Sequence, residues 1–429
     1  MLYLILLILS LLFFYKSIYN GWFFKMPIFV SYAFSIIIFN VLGSYYVFYP
    51  DTSTALVRDI FLTSPTFEKT FFLILFLQLI SFFIFIPIHK NTFYPKEKKI
   101  PLKGDLKKYM FTLFSVSLLI ILFFLTKNGI PPFFTVGIGE LTNSLIISER
   151  VDFFQNIDNF WLISFGFYFI PSIISVLLFL QYKQEKSYYN FIFFLSYFVF
   201  AMILSLSFLH KTPLVFLVTQ IFLASIIYDQ KISLSQVFYF CIGALIFIFS
   251  LYLFSFSGEY YVHSSSFIFT RIIESIFQRL FIIYSLSLSV VPELVYNYGF
   301  LEGKAGIINP LGLFNFEQFN LQKELHLLLY GFPGNNPPPA SGYAYSNYGL
   351  LGVFGLIFAI NLLIYMYQSF CNYINNKFLS IFVTIFFSIK AISLSMTSIW
   401  DNLLMPQELF LLMISLSIYY LIPNYRKQI

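Results

Sequence analysis

The chain has 429 residues, of which 59% are hydrophobic and only 10% charged, and its mean hydropathy is +0.82. This composition excludes both a soluble globular protein and a disordered one, and apolar runs of about 20 residues recurring along the chain mark a polytopic membrane protein. The net charge of +6 does not imply nucleic acid, because the basic residues cluster in short segments between the runs, and two cysteines give no disulfide framework.

The first run, MLYLILLILSLLFF, has no Lys or Arg ahead of it and no small-residue cleavage site, so it reads as a retained span and not a signal peptide. Spans are predicted at 2–19, 28–48, 70–88, 109–126, 161–180, 191–209, 213–228, 236–256, 348–368, 378–397 and 407–422. The many Phe and Tyr residues suit lipid-facing surfaces and interface belts. Between the third and fourth spans, NTFYPKEKKIPLKGDLKKY concentrates lysine, which places that segment in the cytoplasm. Alternation outward from it puts the N-terminus outside, the C-terminus inside, and two long polar segments, 127–160 and 257–347, on the outer face. The expected organisation is a transmembrane core over 1–256 that includes the outer segment 127–160, a large outer loop over 257–347, and C-terminal spans over 348–429. The expected fold class is all-α: a polytopic transmembrane helix bundle of about 11–12 spans with amphipathic helices in its large outer loop.

Both ends of 257–347 fall on one side, so the apolar piece 271–291 is expected to be a helix lying along or dipping into the membrane, ended by Pro292. At about 100° per residue, Arg271, Glu274, Ser275, Gln278, Ser285 and Ser289 share one face of it. The loop closes with YGFPGNNPPPASGYAYSNYGLLGVFG, residues 330–355, where glycine, proline and asparagine gather in an otherwise apolar chain. Such a stretch beside a span is tolerated only where protein buries it or water reaches it.

No Walker, HExxH, CxxC or GxSxG pattern is present, and the outer segments lack a DxD-type acidic pair, so no cofactor and no metal are expected. Any leaving phosphate would then be stabilised by side-chain cations. Arg271 and Arg279, about 12 Å apart along a helix, suit bidentate phosphate contact, and Arg150 in SERVDFF is similarly placed. His210-Lys211-Thr212-Pro213 forms a turn at a span edge, where Lys211 either snorkels or meets a lipid head group. Lys390, deep in an apolar span, is functional or paired by default, with Asp401 or Glu408 as partner. For a base, His326 in QKELHLLLYG is the natural choice, with Glu274 and Glu324 as carboxylate alternatives. Asn335, Asn336, Tyr343, Tyr345 and Asn347 offer amides and rings to a sugar, the last three on one face if that stretch is extended.

The basic-Thr-Pro-Leu turn at His210 to Leu214, a large outer loop opening with arginines, and PPASGYAYSNYG (Pro338 to Gly349) running into a glycine-rich span resemble the Wzy-type O-antigen and repeat-unit polymerases. The resemblance implies a GT-C-like glycosyltransferase of the bacterial inner membrane, its site facing the periplasm. It would transfer a growing glycan from undecaprenyl diphosphate to a sugar hydroxyl of a second lipid-linked repeat unit by a metal-independent, inverting route. Arg271, Arg279, Arg150, His210 and Lys211 would then serve the diphosphates, and His326 or Glu274 the acceptor. The implied partners are the lipid-linked donor and acceptor, membrane lipids and a chain-length regulator protein, with no nucleic acid. The related O-antigen ligases carry a histidine-asparagine pair where this chain has Ser346-Asn347. A ligase, a lipid-linked oligosaccharide flippase or other transporter, and a non-catalytic partner of a polysaccharide machine are the alternatives.

Overall fold

The computed structural model describes residues 1–49, 65–90, 103–135, 153, 163–209, 211–231, 234–255, 265–278, 282–305, 319–331, 334–398 and 406–421. Among these the regular structure is helical: α1 (Leu2–Tyr19), α2 (Pro27–Phe48), α3 (Pro65–Lys90), α4 (Lys103–Asn128), α5 (Ser164–Glu185), α6 (Tyr188–Leu206) and α7 (Lys211–Asp229) come first. They are followed by α8 (Leu234–Ser255), α9 (Ser265–Phe277), α10 (Ile283–Tyr298), α11 (Leu321–Tyr330), α12 (Ala340–Tyr373), α13 (Lys377–Ser393) and α14 (Pro406–Leu421). An α-helix satisfies its own backbone, which is why apolar runs of this length take no other form in lipid.

Eight of these helices, α1, α2, α3, α4, α5, α6, α7 and α12, are long and apolar enough to cross a membrane. The chain is a multi-pass, all-α membrane protein. The three other expected spans are also helical, as α8, α13 and α14. Of these, α13 and α14 are 17 and 16 residues long, short of the roughly 20 a perpendicular crossing takes.

Packing divides the chain into two compact units built from discontinuous stretches. The first unit comprises 1–96, 277–373 and 386–405. Here α1 lies on α3, and α10 and α12 pack on each other and on α3. Phe13 is fully buried, with the rings of Trp22, Phe29, Phe82 and Phe83 around it. Residues Ile36–Leu42 of α2 form a π-helical segment. Ser285 of α10 docks on this segment, its one hydroxyl proton shared between Phe39 O at 3.0 Å and Asn40 O at 2.8 Å, the latter also accepting from Ser44 N at 3.2 Å.

The second unit comprises 97–276, 374–385 and 406–429. At its centre lies α5, flanked by α4, α6 and α7. It too carries a π-helical segment, Ser164–Phe169, and Ser117 of α4 donates to Gly166 O at 2.8 Å. Phe208 fills the space between Phe124, Phe153 and Phe167. Lys183 and Asp229 close one end of α5 and α7 with an ion pair at 2.6 Å.

Residues 271–277 are helical as part of α9 and 283–291 as the start of α10, and 279–281 lie outside the described residues. On the expected polar face Arg271 and Glu274 are exposed while Ser285 and Ser289 are buried. One expectation is corrected. Pro292 does not end the helix but sits inside α10, which runs on to Tyr298 and stops at Gly299, φ 78°. A proline inside a helix forfeits one hydrogen bond, and the fully or nearly fully buried Val290, Val291 and Leu294 around it supply packing that holds the helix through it.

Candidate functional site

The stretch 319–347 of the first unit is built on α11. Asn320 caps its first turn, its side chain accepting from Lys323 N at 3.1 Å, and Gly331 ends it in the left-handed region at φ 73°. Leu321, Leu325 and Leu329, spaced by four, bury one face against Leu286, Val290 and Leu294 of α10. That burial fixes the neighbouring stripe, also spaced by four: Gln322, His326 and Tyr330. Gln322 donates to the Tyr343 hydroxyl at 2.8 Å, and its carbonyl accepts from Asn336 N at 3.1 Å. His326 is half-buried, its ring 4.6 Å from that of Tyr330. The chain returns beneath it at Gly334, where a Cβ would fall 2.3–2.6 Å from the imidazole atoms. Only a residue without a side chain lets the loop close over this histidine.

From Gly334 to Pro339 the chain has no regular secondary structure, with Pro338 and Pro339 buried. Buried backbone outside regular structure ordinarily leaves N–H groups without partners, at a cost of about 1–3 kcal/mol each. Proline has none to leave, which accounts for three in succession at 337–339. The first following N–H, that of Ala340, finds Leu394 O at 3.0 Å.

From Ala340 the chain is helical, and this corrects the extended reading of 343–347. The helix breaks at Tyr348 (φ −141°, ψ 18°) and Gly349 (φ 62°, ψ −147°) before the span proper. Gly349 takes a conformation that side chains resist, and Gly352 sits so close to the first segment that a Cβ would be 2.1 Å from Ala344 O. Tyr343 and Asn347 therefore share a face and Tyr345 leaves it, half-buried beside Phe300 and hydrogen-bonded to Thr70. Asn347 is committed to the backbone. Its Oδ1 accepts from Gly303 N (3.0 Å) and Ala305 N (3.2 Å), while its Nδ2 donates to Ala305 O and Tyr343 O, both at 2.9 Å. These four bonds leave it nothing to offer a sugar, so it anchors 299–305.

Among the other sugar-binding candidates, Asn335 is exposed, and Asn336 is buried with its Nδ2 unpartnered among the described residues. The Ser341 hydroxyl is in the same state five residues on. Lys390 is half-buried on α13; of its two expected partners, Asp401 lies outside the described residues and Glu408 falls in α14. In the second unit Arg271 and Glu274 are exposed on α9, whose Ile268 and Ile272 pack on α8, and Lys211 is half-buried in the first turn of α7. Arg150, His210 and Arg279 lie outside the described residues.

Sequence reasoning missed His89. It is fully buried near the end of α3, Nδ1 3.1 Å from Gln368 Oε1 and Nε2 3.0 Å from Asn361 Oδ1, with Phe29 stacked on its ring at 4.3 Å. Asn361 donates its own Nδ2 to Ile357 O at 2.7 Å, which fixes its oxygen toward Nε2. The signal for this cluster was two polar residues, Asn361 and Gln368, seven apart and so on one face of an apolar run.

The chain matches no family model, and neither the curated proteins nor the solved structures contain a match to it.

Proposed function

We propose that the protein is a membrane glycosyltransferase that polymerises lipid-linked oligosaccharide repeat units, using undecaprenyl-diphosphate-linked donor and acceptor at the outer face of a bacterial inner membrane. The observation that supports this reading is His326: a half-exposed imidazole, held between Tyr330 and a side-chain-free Gly334 beside the exposed amide of Asn335. A general base must be fixed in place yet open to its substrate. In the step proposed, an acceptor hydroxyl attacks the anomeric carbon of the donor. The C–O bond to the diphosphate breaks, His326 takes the hydroxyl proton, and undecaprenyl diphosphate leaves. Of the expected cations Arg279 belongs to the same unit as His326, and stabilisation of that leaving group is assigned to it, acceptor binding to Asn335 and Asn336. Purified protein given lipid-linked repeat units should produce a ladder of longer glycans. His326→Ala should abolish it, and Gly334→Ala should depress it severely by displacing the ring. A ladder undiminished in both variants refutes the role of His326, and no ladder from the unaltered protein refutes the polymerase.

The polar cluster of His89, Asn361 and Gln368 favours a second reading, a transporter, since polar groups buried within spans mark solute or proton paths. Proteoliposomes that move a fluorescent lipid-linked oligosaccharide across the bilayer without lengthening it would establish that reading instead.

A further inference from the structure

The second unit contains a cleft of about 810 Å³ that lies over α5 between α4 and α6. Buried Met110, Ile174 and Leu178 make its floor, and the exposed rings of Phe111 and Phe193 stand at its lips. From Asn190 to Phe200 it follows α6 for about 15 Å at the rise of an α-helix. Its two ends differ in chemistry. One end is apolar, where Phe114 and Tyr197 meet edge-on at 6.2 Å. The other is polar, with exposed Lys107 and the amides of Gln181 and Asn190. Glu185 lies at this end too, but its oxygens are engaged by those amides, Asn190 Nδ2 at 2.8 Å and Gln181 Nε2 at 3.4 Å, each of which keeps a second N–H. Lys108, the next residue of α4, is exposed as well. The two ends together argue the occupant: an exposed cation beside amide donors suits an anionic head group, and the apolar slot suits an acyl chain.

We propose that this cleft is a binding site for one membrane phospholipid with an anionic head group. The phosphate sits at the Lys107 end and an acyl chain lies along the floor toward Phe114 and Tyr197. Lysine clusters beside a span attract anionic lipids at about 1 kcal/mol per basic residue, equivalent to about five-fold in occupancy. The proposal is independent of any glycosyltransferase activity.

Full-length protein in detergent, given equal amounts of dioleoyl phosphatidylglycerol and dioleoyl phosphatidylcholine, should retain one lipid in native mass spectrometry, with phosphatidylglycerol favoured about five-fold. Lys107→Gln should bring that ratio close to one, while Ser196→Trp, which fills the slot from its wall, should remove both lipids from a monodisperse, helical protein. A phosphatidylglycerol carrying a diazirine at its chain end gives a readout that needs no variant: it should label 110–114 and 193–200 in preference to α1. Equal retention of the two lipids, retention unchanged by Ser196→Trp, or labelling spread evenly over α1 and α6 would overturn the proposal.

Discussion

Replacing Asn347 by alanine tests whether this residue is an anchor. Four hydrogen bonds disappear together, two of them accepted from Gly303 N and Ala305 N. Ala305 is 2% exposed, so its released N–H and carbonyl do not reach water. An abandoned buried group costs about 1–3 kcal/mol, and with partial relaxation the local opening of 303–305 should become easier by about 3 kcal/mol. Amide exchange at Gly303 and Ala305 should then quicken roughly a hundred-fold. Leu301 N and Glu302 N bond to the main-chain oxygens of Ser346 and Asn347, so they provide an internal control that should change far less. Asn347→Asp separates the two halves of the role: it keeps an acceptor for both amides and loses both donations, so protection should largely survive. Residue-resolved hydrogen exchange on the detergent-solubilised protein reads all four amides at once. A change of less than about three-fold at Gly303 and Ala305 in the alanine variant would refute the reasoning.

Gly352→Ala should lower the unfolding temperature by several degrees, because its Cβ would fall 2.1 Å from the Ala344 carbonyl, whereas Gly355→Ala, with nothing within 4 Å, should be neutral or stabilising by about 0.5–1 kcal/mol; equal effects would contradict the close approach. Ser285→Ala should destabilise by about 1 kcal/mol by removing the one hydroxyl shared between Phe39 O and Asn40 O, while Ser287→Ala, whose hydroxyl only returns to Ile283 O in its own helix, should cost little; denaturant titration of the two variants compares them directly. Burial pushes the Glu293 carboxyl above its ordinary range, so the folded protein holds a proton that the unfolded chain releases. Stability should therefore fall as pH rises from the ordinary glutamate range through the raised value, then level off. Glu293→Gln should flatten that slope in a pH series of melting curves; a slope that persists in the variant would exclude Glu293 as its source.

The helices were legible because an apolar run of span length has one conformational solution in lipid: every predicted span has a helix at its core, though 191–209 and 378–397 overrun theirs, which end at Leu206 and Ser393. What local pattern did not reveal depended on partners distant in sequence. Tyr343, Tyr345 and Asn347 alternate like a strand, but Asn347 pairs with 303–305 and draws the stretch into a helix. Pro292 read as a terminator because proline usually is one, and the surroundings of α10 decide otherwise. His326 was legible as a candidate, while Gly334 read only as one of several turn glycines, and its closeness to the imidazole depends on how the loop folds back. His89 beside Lys90 looked like the edge of a basic loop, and its partners Asn361 and Gln368 are more than 270 positions away.

The π-helical segments in α2 and α5 have a consequence for how these spans tolerate change in length. A π turn holds one residue more than the α turn it replaces. Elsewhere in a span, a single inserted or deleted residue rotates everything beyond it by about 100°, turning its core face toward lipid. Removing one residue from 36–42 or 164–169 could instead be absorbed by tightening the wide turn to an ordinary one, leaving both halves of the span in phase with their neighbours. Ser285 and Ser117 each bond main-chain carbonyls of the wide segments from a neighbouring helix. These two places act as slack in the thread, where chain length varies without the bundle having to be repacked.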